Sequence, residues 1–113
     1  MEINTYNRGD VFYVNLDGVG SEQKGIRPAV IVSNNLNNKN AKTVTILPIT
    51  SKLTKHRIPT HYVVNVDFLS KTSIVLAEQI RTIDKSRLER CVGRFSEDHM
   101  NNINKIIKIQ LGL

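Results

Sequence analysis

Thr43-Val44-Thr45-Ile46-Leu47-Pro48-Ile49-Thr50 is the stretch on which the fold turns. It starts in polar–apolar alternation, the period of a half-buried strand. Pro48 has no amide hydrogen to give a neighbouring strand, so it belongs at an edge, a bulge or the strand's end. Upstream, Pro28 leads Ala29-Val30-Ile31-Val32-Ser33, a continuous apolar run of the kind buried on both faces. Gly9-Asp10 opens Val11-Phe12-Tyr13-Val14-Asn15-Leu16, rich in β-branched and aromatic residues. Downstream, residues 61–66 and 73–78 are further strand candidates, 79–84 alternates as a half-exposed strand does, and 90–95 makes a last short one. Residues 85–89 read as a short helical turn. Three connections separate these elements. Residues 17–27, with Gly18, Gly20 and Gly25, form a flexible link. The asparagine-rich 34–40 is a polar loop whose side chains bond their own backbone, and 51–60 is a basic loop.

The period changes near the end. Ser96 suits an N-cap, and Glu97 and Asp98 favour a helix's first turn. Met100, Ile103, Ile106, Ile107 and Leu111 then form a stripe at helical spacing, and Gly112 can close the helix. Six or seven short strands with a terminal helix predict a mainly β protein with helices (α+β), a small β-barrel carrying a C-terminal helix. At 113 residues the expectation is a single domain over 1–113.

No apolar run approaches the ~18 residues of a membrane span. Met1-Glu2-Ile3-Asn4-Thr5-Tyr6-Asn7 lacks the basic start and apolar stretch of a signal peptide. One cysteine, Cys91, excludes an internal disulfide framework, and a cytoplasmic location is expected. Cys91 lies in an apolar strand candidate and reads as a buried structural thiol rather than a nucleophile. The net charge is +6, and no acid occurs between Glu22 and Asp67. That interval holds Lys24, Arg27, Lys39, Lys42, Lys52, Lys55 and Arg57, a local charge of +7. One contiguous basic segment suggests a basic face and a polyanionic partner, nucleic acid first.

Phosphate-binding glycine loops and dinucleotide fingerprints are absent. His56, His61 and His99 do not form a close-spaced ligand motif, and the basic segment has no carboxylates for a two-metal nuclease. No metal or cofactor is expected. A nuclease of this composition must work without metal, which RNA permits because its own 2′-OH can attack the adjacent phosphorus. That reaction needs proton transfer from the 2′-OH, charge stabilisation at the phosphoryl oxygens and a proton for the leaving 5′-oxygen. Two clusters offer suitable groups. In Gly20-Ser21-Glu22-Gln23-Lys24-Gly25-Ile26-Arg27-Pro28 the planar Arg27 guanidinium suits a phosphate. In Pro48-Ile49-Thr50-Ser51 two hydroxyls meet at a strand end. Residue chemistry alone leaves open a plain surface arginine and turn hydroxyls.

These clusters, with Arg8-Gly9-Asp10-Val11, Arg27-Pro28-Ala29-Val30 and Glu78-Gln79-Ile80-Arg81-Thr82-Ile83-Asp84, closely resemble the MazF/PemK family, the toxins of type II toxin–antitoxin systems. The ordered match runs from about Arg8 to the C-terminus and looks most like the branch of low-GC Gram-positive bacteria. The resemblance implies a compact SH3-like barrel with helices, a homodimer, and a metal-independent endoribonuclease that cuts single-stranded RNA at a short sequence. It implies 2′,3′-cyclic phosphate and 5′-hydroxyl ends, and neutralisation by a cognate antitoxin. The family's essential arginine maps to Arg27, its essential threonine to Thr50, and the glutamate of its Gly-Ser-Glu-Gln loop to Glu22.

Arginine stays protonated in proteins, so Arg27 suits the phosphoryl charge rather than the role of a base. Thr50 suits a hydrogen-bond donor or orienter. Glu22 can orient Arg27, take the 2′-OH proton, or merely pair with Lys24 or Arg27. His61 suits a structural or RNA-contact role. Gln79 and Arg81 alternate with apolar residues and either read a base and a phosphate or form a polar outer face. Ser21, Gln23, Lys24, Ser51, Lys52, His61, Gln79 and Arg81 are the candidate RNA-binding residues. Two other functions compete: a protein-poisoning toxin of the same fold, such as the gyrase poisons, and a generic RNA-binding SH3-like module. The first depends on a C-terminal tryptophan, and this chain has no Trp. The second calls for aromatic stacking platforms, and only 5% of residues are aromatic.

Overall fold

The stretch Thr43–Thr50 is one unbroken strand with three partners. The computed structural model describes residues 5–53 and 56–113. The strands are β1 (Asp10–Leu16), β2 (Gly25–Ile31), β3 (Thr43–Thr50), β4 (His61–Val64), β5 (Ser73–Leu76), β6 (Arg81–Asp84) and β7 (Leu88–Arg94), with helices α1 (Asn35–Asn40) and α2 (Glu97–Leu111). They form a seven-stranded antiparallel sheet ordered β4-β5-β3-β2-β1-β7, with β6 paired to β3 off that path. The ladder does not close, and β4 and β7 are its ends.

Pro48 sits inside β3, and the pairing explains how. On one side β3 meets β6 over Thr43 to Ile46 and β5 over Ile49 and Thr50. Leu47 and Pro48 fall in the gap between those partners, where a missing N–H breaks no ladder. On the other side Pro48 stands opposite Ala29 of β2. The hand-over lets one strand belong to two halves of the sheet.

Both faces of the sheet bury apolar side chains, as the run Ala29-Val30-Ile31 requires. Val11, Val30, Leu47 and Ile49 pack with Met100, Ile103 and Ile106 of α2. Phe12, Val14, Leu16, Ala29, Ile31, Val44 and Ile46 form a second cluster with Ile83 on the opposite face. The terminal helix follows its sequence signals. Ser96 Oγ accepts the His99 amide at 3.2 Å, and Gly112 ends the helix in the left-handed region at φ 71°. Tyr62 ties α2 to β4 through a 2.7 Å hydrogen bond between its hydroxyl and His99 Nδ1. No described helix is long and apolar enough to cross a membrane.

Arg8-Gly9-Asp10 forms a structural knot. Gly9, at φ 95°, donates its amide to Ile31 O and accepts from the Phe95 amide. Asp10 is buried, accepts the Asn7 amide, and binds Arg94 Nε at 2.8 Å, which raises the Arg94 pKa above its ordinary value. Arg8 reaches Val32 O and Asn104 Oδ1, and its burial lowers its pKa.

Several expectations need correction. β2 starts at Gly25, so Gly25, Ile26 and Arg27 belong to a strand paired with Leu16, Asn15 and Val14 rather than to the connection. The asparagine segment is helical over Asn35–Asn40: Asn34 Oδ1 caps the Asn37 amide at 2.8 Å, and buried Asn38 bonds Ser33. Weak helix formers hold the turn because their amides bind the backbone at its start. The strands expected over 61–66 and 73–78 stop at Val64 and Leu76, the second giving way to a 3₁₀ turn at Ala77–Gln79. Cys91 is exposed, because it lies on the outer edge strand where bulges interrupt the pairing with β1. Of the basic loop, residues 54 and 55 lie outside the described residues, as do residues 1–4 of the N-terminal stretch.

Candidate functional site

Arg27 and Thr50 lie on neighbouring strands, β2 and β3. The ladder pairs Ile31 with Ile46, Val30 with Leu47 and Ala29 with Pro48. Continued two residues past its last pair, that register sets Arg27 opposite Thr50. Two pockets open beside the Thr50-Ser51 corner. Thr50 faces the larger, of about 250 Å³, and Arg27 and Ser51 face the smaller, of about 100 Å³. The two adjoin through β5, since Ile74 lines the first and Ser73 the second.

Thr50 is buried, at 6% exposure, yet its hydroxyl has a direction. Its Oγ1 accepts the Lys52 amide at 3.1 Å, which leaves the hydroxyl hydrogen to donate. Arg27 is half-buried, and its Nε donates to Lys24 O at 3.1 Å. That bond turns the guanidinium while its terminal nitrogens have no protein partner among the described residues. Lys71, Ser70 and Tyr13 line the same small pocket. Lys71 adds a second cation that the sequence did not single out, because it lies beyond the acid-free interval.

The Gly-Ser-Glu-Gln loop is held from outside. Gln79 Oε1 accepts the Gln23 amide at 3.2 Å, and its Nε2 donates to Ser21 O at 3.1 Å. Arg81 donates to Asp17 O at 2.6 Å, and Arg87 pairs with the Asp17 carboxylate at 3.2 Å. Gln79 and Arg81 thus engage the loop's backbone in this structure. Glu22 is exposed, and its carboxylate accepts the Val19 amide at 3.2 Å, closing its own turn rather than reaching Arg27 or Lys24.

Ser21, Gln23, Thr50, Lys52, His61 and Gln79 all line the larger pocket. Six of the candidates therefore converge. Lys24 stands exposed on the loop outside it. Ile74 and Leu76 supply apolar wall, and Glu78 is the only acidic residue among the described lining. Glu78 was missed as a site residue, although it begins the Glu-Gln-Ile-Arg segment; its neighbours Gln79 and Arg81 drew the attention because their alternation signalled an exposed face. His61 Nε2 lies 2.8 Å from Glu78 Oε2, and Thr60 Oγ1 donates to Glu78 Oε1 at 3.1 Å. Among the described residues no group of three or more His, Cys, Asp or Glu could hold a metal ion.

Comparison with known proteins gives a consistent result. Residues 7–111 match the family described as PemK-like, MazF-like toxin of type II toxin–antitoxin system. The chain is 45% identical to the endoribonuclease MazF of Staphylococcus saprophyticus, an alignment covering 94% of this chain and 91% of that one. It superposes on an endoribonuclease solved in complex with its cognate antitoxin, from a mycobacterial species, with a TM-score of 0.80 and 33% identity, covering 96% and 97% of the two chains. It also superposes on the MazF crystal structure from Deinococcus radiodurans with a TM-score of 0.84 over 98% and 100% of the chains; at 22% identity that likeness bears on the fold.

Proposed function

The chain belongs to the PemK-like, MazF-like toxins of type II toxin–antitoxin systems, and from that premise we propose that it is an endoribonuclease that cuts single-stranded RNA, messenger RNA above all, without a metal. The observation that carries the reading is the placement of Arg27 and Thr50, on the neighbouring strands β2 and β3, in two adjoining pockets. In the reaction the 2′-OH attacks the adjacent phosphorus and the bond to the 5′-oxygen breaks. The products are a 2′,3′-cyclic phosphate and a 5′-hydroxyl. The RNA supplies its own nucleophile, so no metal-bound water is needed.

Arg27 stabilises charge on the phosphoryl oxygens, with Lys71 beside it in the same pocket. Thr50 donates a hydrogen bond fixed by the Lys52 amide. Glu22 takes the 2′-OH proton or sets the loop's shape; the bond from Val19 supports the second role here. Ser21, Gln23, Lys24, Ser51 and Lys52 contact the RNA, His61 takes the structural role through its bond to Glu78, and Gln79 and Arg81 shape the loop. The protein acts in the cytoplasm as a homodimer and is silenced by a cognate antitoxin, whose acidic disordered segment orders against the basic surface. The alternative readings draw no support: the relatives are named as endoribonucleases, and the chain has no Trp for the gyrase-poison mode.

The test is incubation with a long unstructured RNA in excess chelator, followed by end analysis. Cleavage with cyclic-phosphate and 5′-hydroxyl ends is expected, and an RNA carrying 2′-O-methyl at the cut site should bind and stay intact. If the blocked RNA is cut at the same bond, the nucleophile is water and the proposed mechanism is wrong.

A further inference from the structure

Among the described residues one carboxylate lines the larger pocket, and the fold goes to some length to aim it. Glu78 lies in the 3₁₀ turn Ala77–Gln79 that follows β5, and Ile80 N bonding Ala77 O at 3.1 Å closes that turn around it. Each carboxylate oxygen has its own protein donor. Thr60, buried at 8% exposure, donates to Oε1, and His61 contacts Oε2 at 2.8 Å. The His61 side chain is nine-tenths buried. Its Nδ1 is fully buried with no hydrogen-bond partner among the described residues. Donation from Nε2–H to the carboxylate sets the tautomer and leaves Nδ1 as an unmet acceptor. An unmet buried polar atom destabilises a fold. Its retention here fits a residue kept for the carboxylate it orients.

A carboxylate has about four lone-pair sites, so two protein donors leave two for a ligand. Those two face a pocket with apolar wall from Ile74 and Leu76 and a volume of about 250 Å³, the liquid share of roughly eight waters. A flat heterocycle with hydrogen-bond donors on its edge fits that chemistry. Among the described lining residues no other side chain is an anionic acceptor, and the Gln79 amide is already engaged with the loop.

We propose that Glu78 is a specificity-determining residue: its carboxylate accepts hydrogen bonds from the amino-bearing edge of one RNA base, and Thr60 and His61 are positioning residues that hold it. The inference rests on the endoribonuclease reading for its substrate. Splayed single-stranded bases are read on their Watson–Crick edges. Adenine, cytosine and guanine present an exocyclic amine there. Uracil presents two carbonyl oxygens flanking its one N–H, and a carboxylate repels them.

The experiment compares wild type with Glu78→Gln on a randomised RNA library, read in two ways. Cleavage rates in chelator give relative kcat/KM for every sequence. Binding selection on a 2′-fluoro library, which cannot be cut, gives recognition without chemistry. Wild type should demand an amino-bearing base at one position. Glu78→Gln should change the preference at that position by about tenfold or more, leave other positions unchanged, and leave the chemical nature of the ends unchanged. Thr60→Val should move the same position by a smaller factor, with thermal unfolding of both variants close to wild type. Identical preferences in wild type and Glu78→Gln, a uracil requirement at the affected position, or a uniform loss across all sequences would each overturn the proposal. A wild type that cuts nothing in chelator, yet loses base selectivity in the binding arm on Glu78→Gln, defeats the nuclease reading and leaves this one standing.

Discussion

Arg27 and Thr50 are held by single bonds to their own loops, and this makes their substitutions informative. The guanidinium is anchored by Nε on Lys24 O, so its terminal nitrogens present a fixed fork. Arg27→Ala should lower kcat by ~10²–10³, the usual effect of removing one preorganised donor, with a much smaller effect on RNA affinity. Arg27→Lys should fail comparably, because a point charge reproduces neither the fork nor the anchoring bond. Single-turnover rates at saturating RNA separate the two effects; a near wild-type Arg27→Ala rate would remove Arg27 from the mechanism. Thr50→Ser keeps the hydroxyl that accepts the Lys52 amide and should retain a substantial part of the rate, whereas Thr50→Ala loses both bond and donor. Asp84 gives a pH-dependent case. The Ser86 backbone amide, then the Ser86 side chain, then the charges of Lys42 and Arg87 hold its carboxyl below the ordinary value. A carboxyl lowered in the folded state contributes stability above its unfolded value of ~3.9 and loses it as pH falls through the folded value. Asp84→Ala should therefore lower the melting temperature more at pH 7 than at pH 3, and an equal drop at both would contradict the assignment.

At the scale of elements, Gly93 in β7 is the tightest point. A Cβ built there would stand 2.3 Å from Phe68 Cγ, and Phe68 packs tilted against Phe95 at a centroid distance of 5.5 Å. Gly93→Ala should cost about 1–3 kcal/mol by overpacking, measured by chemical denaturation, and Phe68→Leu in the same chain should recover part of it. This contact crosses 25 residues of sequence and leaves no local pattern, so the last strand was legible while its constraint was not. The same division holds elsewhere. The alternation of Thr43 to Ile46 and the apolar run at Ala29 gave β3 and β2, and Ser96 with its stripe gave α2, because those signals come from neighbours along the chain. α1 was hidden because asparagine disfavours helices, and side-chain bonds such as Asn34 capping Asn37, Asn38 binding Ser33 and Asn37 binding Thr43 O hold it. Arg27 and Thr50 were legible as residues, but their pairing depends on the β2–β3 register. Glu78 was illegible as a site residue, since its meaning comes from Thr60 and His61 eighteen and seventeen positions away. Gln79 shows the same effect: its bonds to Ser21 and Gln23 span more than fifty residues. Gln79→Ala should accelerate hydrogen exchange at the Gln23 amide, and an unchanged rate would mean the clamp does not hold in solution.

Across the whole molecule, the acid-free interval does not build a single face. Lys39 lies in α1 and Lys42 just before β3, while Lys52 follows that strand's other end. Seven steps of ~3.3 Å put roughly 23 Å between the two ends. The Debye length at 0.1 M salt is ~10 Å, so Lys39 and Lys42 are screened from a phosphate held near Arg27. The charges that count at the site are Lys24, Arg27 and Lys52, joined by Lys71 from outside the interval. Each phosphate neutralised on a single strand contributes about −0.7 to the slope of log K against log salt. Four contacts give roughly −3, where all seven cations of the interval would give about −5. The variants separate the two pictures more sharply than the slope itself. Lys52→Gln should make the slope shallower by about 0.7, and Lys39→Gln should leave it within error. Affinity for a 2′-blocked RNA between 50 and about 200 mM salt is the measurement. If Lys39→Gln flattens the slope as much as Lys52→Gln does, the RNA runs the length of β3, and the basic interval acts as one continuous track rather than two separate ends.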